Sequence, residues 1–80
     1  PATCLLPVRH RNRPGVLARV FQVLSEAHIN VEEMENVIYE GALAACARIQ
    51  LDTAPSAGDL ERIRSSGDEI LGVDLTSIAS

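Results

Sequence analysis

Residues 10–17 read HRNRPGVL, and this stretch decides the fold because it joins a β-strand to a helix. Proline has a fixed φ and no N–H to lose, so Pro14 suits the first turn of a helix. Gly15 lets backbone or ligand approach closely where a Cβ would collide. The stretch therefore predicts a strand ending in polar side chains, a tight turn and an immediate helix start.

The residues on either side of this turn fit the same interpretation. Residues 3–10 read as a first strand. Pro7 has no backbone N–H to donate, so it must lie at a bulge or at a position whose nitrogen points away from a partner strand. From residue 14 to about residue 27 the pattern is helical, because Val16, Val20 and Leu24 recur every four residues. His28 would close the helix, where a cation near the last carbonyls is mildly favoured.

Two more strands follow the helix. The second starts at residues 29–31 and continues to residue 39, with an irregularity between residues 32 and 36. Glu40-Gly41 is a plausible hairpin turn. The third strand covers residues 42–52 and alternates cleanly. Its predicted buried face comprises Leu43, Ala45, Ala47, Ile49 and Leu51.

The last part of the chain predicts one more helix and one more strand. Residues 53–58 are a loop in which Ser56 and Asp59 compete as helix caps. A short helix over residues 56–65 would direct Leu60, Ile63 and Ala57 inward, and Gly67 would end it. Residues 70–78 read as the final strand. The order β-α-β-β-α-β predicts an α+β, ferredoxin-like fold: a four-stranded antiparallel sheet with both helices on one face.

Composition narrows the classes of function. Eighty residues make one domain, and a net charge of −4 with no lysine argues against a nucleic-acid partner. No apolar run is long enough to span a membrane, and the chain starts almost directly in a strand, as an excised domain would. Cys4 and Cys46 are too few for a metal centre, and two reduced cysteines fit a cytoplasmic location.

The sequence contains no convincing catalytic set. It has two histidines, no serine in a nucleophile turn, and carboxylates scattered over predicted solvent faces. Other uses of the same fold need a glycine-rich phosphate loop, a Cys-x-x-Cys loop or aromatic residues on the central strands, and this chain lacks them. We therefore expect no active site, no metal and no cofactor in residues 1–80.

The turn does offer groups that suit an amino acid. A carboxylate favours a helix N-terminus, and an ammonium group needs acceptors. Asn12 can donate and accept at once, and His10 can do either. Asn30 lies between the first helix and the second strand. The simpler alternatives are that Asn30 caps the helix and that His10 is a surface residue.

The strand, the Asn-Arg-Pro-Gly-Val-Leu turn, the helix and the Ile-Asn-Val strand entry together resemble an ACT domain. Similarity is greatest to the C-terminal regulatory domains of D-3-phosphoglycerate dehydrogenases, and it covers nearly the whole chain. The resemblance implies that His10, Asn12 and Asn30 hold L-serine at a domain–domain interface. It also implies a regulatory domain without catalytic activity, attached to an NAD-dependent dehydrogenase of serine biosynthesis whose catalytic domains lie elsewhere.

The resemblance further implies a homodimer formed through the first helix and the second strand. The candidate surface is the edge formed by residues 32–39, which would bring Asn30 of one chain towards His10 and Asn12 of the other. Glu32, Glu33 and Glu35 would repel across such an interface unless Arg9, Arg13 or Arg19 faces them. The alternative function is a ferredoxin-like dimerisation module that has lost ligand sensing.

Overall fold

A computed structural model describes residues 1–39, 41 and 43–78, and its elements confirm the predicted order. They are β1 (Cys4–Arg11), α1 (Val16–Glu26), β2 (Val31–Ile38), β3 (Ala44–Leu51), α2 (Ala57–Arg64), β4 (Ile70–Val73) and β5 (Thr76–Ser77). The strands form one antiparallel sheet in the order β2-β3-β1-β4, and β5 also pairs with β1. The fold is the expected ferredoxin-like α+β arrangement.

The core lies between the two helices and one face of the sheet. In β1 and β3 every second residue is buried, as the alternation predicts. Helix α1 contributes the predicted apolar stripe, and Ile63 is the buried residue of α2. The buried residues of the strands and of α1 are Cys4, Leu6, Val8, His10, Ala45, Ala47, Ile49, Leu51, Val73, Val16, Val20, Val23 and Leu24. Burial of this apolar surface is the main stabilising contribution to such a small domain.

Two residues predicted to point inward, Leu43 and Ala57, do not do so. Leu43 is 76% exposed because it precedes β3, which begins at Ala44, in the hairpin. The hairpin turns at Gly41, whose φ of 88° is left-handed, whereas Glu40 and Ala42 lie outside the described residues. Ala57 is exposed as the first residue of α2.

Helix α1 begins two residues later than Pro14. The N-cap is Gly15 with φ 82°, and Val16 is the first helical residue, so Pro14 belongs to the preceding turn. A Cβ built at Gly15 meets nothing within 4 Å. Glycine is therefore needed here for its left-handed backbone, and no other part of the described chain approaches it closely.

The end of α1 is closed by the backbone. The N–H of Ile29 donates to the carbonyl of Leu24 and that of His28 to Ser25, both at 3.0 Å. His28 has φ 59°, the left-handed conformation of a Schellman motif. His28 therefore ends the helix through its backbone conformation. At the other helix, Ser56 and Asp59 do not compete but form a reciprocal capping box.

The predicted final strand is divided into β4 and β5. Both pair with β1, and the register of Val8 with Val73 is the same as that of Leu5 with Thr76, whereas the register shifts between Arg9 and His10. Pro7 lies between the two paired segments. Its carbonyl accepts a hydrogen bond from the N–H of Asp74 at 3.2 Å, but proline has no N–H to return. Because this donor is missing, the hydrogen bonding with β1 is interrupted at this point. The partner strand is therefore divided into β4 and β5 opposite Pro7.

Candidate functional site

The three predicted site residues lie at two opposite ends of the sheet. His10 and Asn12 are at the end of β1, where His10 pairs with Ala45. Asn30 immediately precedes Val31, which pairs with Leu51 at the other end of β3. These two positions on β3 are six residues apart, or roughly 20 Å along the strand. One chain therefore brings His10 and Asn12 together and keeps Asn30 away from them.

His10 is buried, so the alternative of a surface histidine is wrong. Its side chain faces the core and only 2% of the residue is exposed. Nδ1 lies 2.9 Å from the carbonyl oxygen of Arg11, and Nε2 lies 3.0 Å from Oδ1 of Asn36 on β2. Both ring nitrogens thus have partners within the chain.

The small residues of β3 make this contact possible. In the sheet, β3 separates β1 from β2, with Ala45 beside His10 and Ala47 beside Asn36. Both alanines are fully buried. Because neither side chain extends beyond Cβ, the ring of His10 and the amide of Asn36 can meet above them. Asn36 was missed by sequence reasoning, although paired alanines on a buried face are a signal that larger neighbours meet there.

The loop after β1 is held from two sides. The N–H of Asn12 donates to the carbonyl of Leu43 at 3.1 Å, and the N–H of Arg11 donates to that of Glu69 at 2.9 Å. Asn12 itself is half-buried. The start of the loop is therefore fixed, and the loop connects β1 to the N-terminus of α1.

The N-terminus of α1 suits an anion. Gly15 supplies no side-chain cap, and the first turn contains no acidic residue. The first N–H groups of a helix lack intrahelical partners and carry partial positive charge, so a carboxylate there is stabilised. This end of α1 lies next to the loop that carries Asn12.

Asn30 is fixed at the opposite end of α1. Its N–H donates to Oδ1 of Asp52 at 3.0 Å, its carbonyl accepts from the N–H of Asp52 at 3.1 Å, and its Nδ2 donates to Glu32 at 2.7 Å. The helix is closed by His28 and Ile29, so Asn30 is not its cap. A groove opens beside it, lined by Phe21, Ser25, His28, Ile29, Asn30 and Val31.

A second groove lies on the face of the sheet that no helix covers. Glu35 of β2 pairs with Arg48 of β3, and Glu33 pairs with Gln50. Leu5 and Ile78 complete its lining. Arg48 is therefore a side-chain cation beside the acidic stretch of β2, and the ammonium group of Pro1 lies 3.4 Å from Glu32. Within the chain, Arg19 pairs with Glu69.

The chemistry of the remaining groups is limited. Cys4 is buried, Cys46 is half-buried, and both are free thiols. Among residues 1–39, 41 and 43–78, no group of three or more His, Cys, Asp or Glu side chains is arranged to hold a metal ion. No helix in the described part of the chain is long and apolar enough to cross a membrane.

Comparison with known protein families gives one match. Residues 5–35 match the family model of the ACT domain. The matched region covers most of β1, the turn, all of α1 and the first half of β2, and it contains all three predicted site residues. No curated protein matches the chain.

Comparison with solved structures shows the same fold in three proteins. An unknown protein from Galdieria sulphuraria has a TM-score of 0.77 at 12% identity, over 99% of this chain and 46% of that one. The C-terminal domain of the MgtC protein from Mycobacterium tuberculosis has a TM-score of 0.68 at 16% identity, over 95% of this chain and 86% of that one. A homoserine dehydrogenase from Thiobacillus denitrificans has a TM-score of 0.66 at 21% identity, over 95% of this chain and 17% of that one. This chain thus spans less than half of the first and third proteins.

Proposed function

We propose that this chain is a regulatory domain that binds an amino acid and has no active site of its own. The observation that carries the proposal is that the ACT match covers residues 5–35, the part containing His10, Asn12 and Asn30. We propose L-serine as the ligand and a D-3-phosphoglycerate dehydrogenase-type enzyme, NAD-dependent and cytoplasmic, as the parent. The homoserine dehydrogenase is a precedent for this fold within a longer dehydrogenase chain.

The two ends of α1 suit the two charged groups of an amino acid. The uncapped N-terminus beside Asn12 favours the carboxylate. The C-terminus is the negative end of the helix dipole, and Glu32 and Asp52 lie there with Asn30, so it favours the ammonium group. Eleven residues separate the ends, about 16 Å. No small amino acid spans that distance, so the site needs two chains.

Strand β2 provides the edge through which two chains could meet. It lies at the end of the sheet order, and most of its residues are exposed on both faces. An antiparallel pairing centred on Met34 keeps both helix layers on one side and sets Asn30 of a second chain near the end of β2 that carries Ile38. Across the sheet, Ile38 pairs with Ala45, and Ala45 pairs with His10. Such a dimer would place Asn30 of the second chain at the same end of the sheet as Asn12 and His10.

The same pairing sets Glu33 of one chain opposite Glu35 of the other, on the face without helices. Like charges directly opposite each other destabilise a strand pair. Arg48 lies beside Glu35 in the sheet and is exposed, so its guanidinium can offset part of this repulsion. Arg9 does not serve in this way within its chain, because its guanidinium lies against Gly72 of β4.

Sedimentation and calorimetry test the proposal. We expect the wild-type chain to bind L-serine better than a panel of other amino acids, and L-serine to shift sedimentation towards a dimer. Asn12→Ala and Asn30→Ala should each weaken binding by about 1–3 kcal/mol, since each leaves polar groups of the ligand unpaired. Neither should change the free energy of unfolding much. Mixing the two variants should restore one intact site per heterodimer.

The second candidate function is a dimerisation module without a ligand. It is favoured by His10, whose two ring nitrogens both have partners inside the chain. A dimer that gives no heat with any amino acid would select this candidate. A chain that remains monomeric at high concentration, with and without L-serine, would contradict both.

A further inference from the structure

We infer that Asn36 is a positioning residue of the amino-acid site, because it fixes the ring of His10 from the edge strand β2. The inference rests on the proposed function for the existence of a site. The contact itself rests on distance and burial: Asn36 Oδ1 lies 3.0 Å from Nε2 of a residue that is 2% exposed.

The partners of His10 determine which ring nitrogen carries a proton. The carbonyl of Arg11 can only accept, so Nδ1 must donate. Nε2 faces the amide of Asn36, 3.0 Å from its Oδ1. This amide can accept from Nε2 through Oδ1 or, after a half-turn, donate to it through Nδ2, so Nε2 has a partner whether or not it carries a proton.

The ring fixed in this way holds the peptide that leads to Asn12. The carbonyl of Arg11 and the N–H of Asn12 belong to one planar peptide unit. His10 donates to its carbonyl, and its N–H donates to Leu43 at 3.1 Å. The peptide is therefore fixed at both ends. Asn36 acts on Asn12 through His10 and this peptide.

The same contact connects the site with the proposed dimer edge. Asn36 belongs to β2, the strand expected to meet a second chain. Since the amide and the imidazole must keep their hydrogen bond, a shift of β2 moves His10 and the peptide before Asn12. Ligand binding and edge pairing would thus affect each other through two side chains.

Nitrogen NMR of the His10 ring tests the contact on the whole 80-residue chain. In the wild type we expect Nδ1 to be protonated, because it faces the carbonyl of Arg11. In Asn36→Ala, Nε2 loses its partner, so the Nε2 resonance should shift while Nδ1 keeps its proton. Met34→Ala, a change on the same face of β2, is the matched control and should leave the ring signals unchanged.

Calorimetry with L-serine tests the role in binding. We expect about tenfold weaker binding in Asn36→Ala, the effect of losing one orienting hydrogen bond, and unchanged binding in Glu61→Ala, a change at an exposed position of α2 away from the proposed dimer edge. Wild-type affinity or better in Asn36→Ala would overturn the inference, as would a proton on Nε2 and none on Nδ1 in the wild type. If the wild type binds no amino acid, the proposed function fails, and with it the positioning role; the ring signals would then report on the contact alone.

Discussion

Asn30 and Asp52 hold each other through two hydrogen bonds that close a small ring between the start of β2 and the end of β3. The Asn30 N–H reaches Oδ1 of Asp52 at 3.0 Å, and the Asp52 N–H reaches the carbonyl of Asn30 at 3.1 Å. The backbone of Asn30 is thereby fixed before β2 begins. Its amide, in contrast, donates to the carboxylate of Glu32 at 2.7 Å.

Replacement of Asp52 should loosen Asn30. Asp52→Ala removes the acceptor of the Asn30 N–H while leaving the backbone bond, so we expect the free energy of unfolding to fall by about 1 kcal/mol. Affinity for L-serine should fall as well, because Asn30 would no longer be held in place. Urea denaturation and calorimetry measure the two effects. Asp68→Ala, at an exposed site, is the control, and equal values for both variants would contradict the prediction.

A larger residue at position 45 should separate His10 from Asn36. Ala45 is fully buried directly beside His10. Its replacement by leucine would fill the space that the imidazole occupies, and overpacking of this kind costs about 1–3 kcal/mol. Chemical denaturation of Ala45→Leu measures this loss. Ala44→Leu, on the opposite face of the same strand, should cost much less; equal losses would show that the space above Ala45 is not needed.

Glycine at position 28 should stabilise the chain. His28 is held at φ 59°, where a side chain is strained and glycine is not. We expect His28→Gly to raise the free energy of unfolding by about 0.5–1 kcal/mol. The matched control is Ala27→Gly, since Ala27 has φ −85° and should lose stability on the same change. Thermal unfolding compares them, and a loss in both would show that the imidazole contributes more than its backbone costs.

The contribution of the α2 capping box to the free energy of unfolding should be measurable by itself. Ser56 Oγ accepts from the N–H of Asp59 at 3.1 Å, and Oδ2 of Asp59 accepts from the N–H of Ser56 at 3.0 Å. Ser56→Ala should lower stability by about 1 kcal/mol. Ser25→Ala, on the exposed side of α1, should have almost no effect. The prediction fails if the midpoints of urea unfolding for the two variants coincide.

The fold could be predicted because its pattern is local. Ala45, Ala47, Ile49 and Leu51 alternate with Cys46, Arg48, Gln50 and Asp52, and this alternation alone fixes the buried face of β3. The alternation did not show where the strand begins. Leu43 continues the pattern, but it lies in the hairpin, because the backbone pairing of β2 with β3 closes at Tyr39 and Ala44.

The site could be predicted only in part because its contacts join distant parts of the chain. His10 and Asn12 are identifiable from a turn motif, but the partner of His10 is 26 residues away. Periodicity says which face Asn36 occupies, not that an imidazole two strands away will reach it. The division of the last strand could not be predicted either, because Pro7 interrupts the pairing of a strand that lies more than sixty residues later in the sequence.

Pro7 also gives the sheet two unequal edges. On one side β2 runs for eight residues, and no other strand among the described residues pairs with its outer N–H and C=O groups. On the other side the ladder is broken between β4 and β5. A sheet with two continuous edges can add chains without limit and grow into a fibre. A chain with one continuous edge can pair with a copy of itself about a two-fold axis, and that pairing uses up the edge. The interrupted strand thus protects this domain from aggregation while leaving its other edge available for recognition.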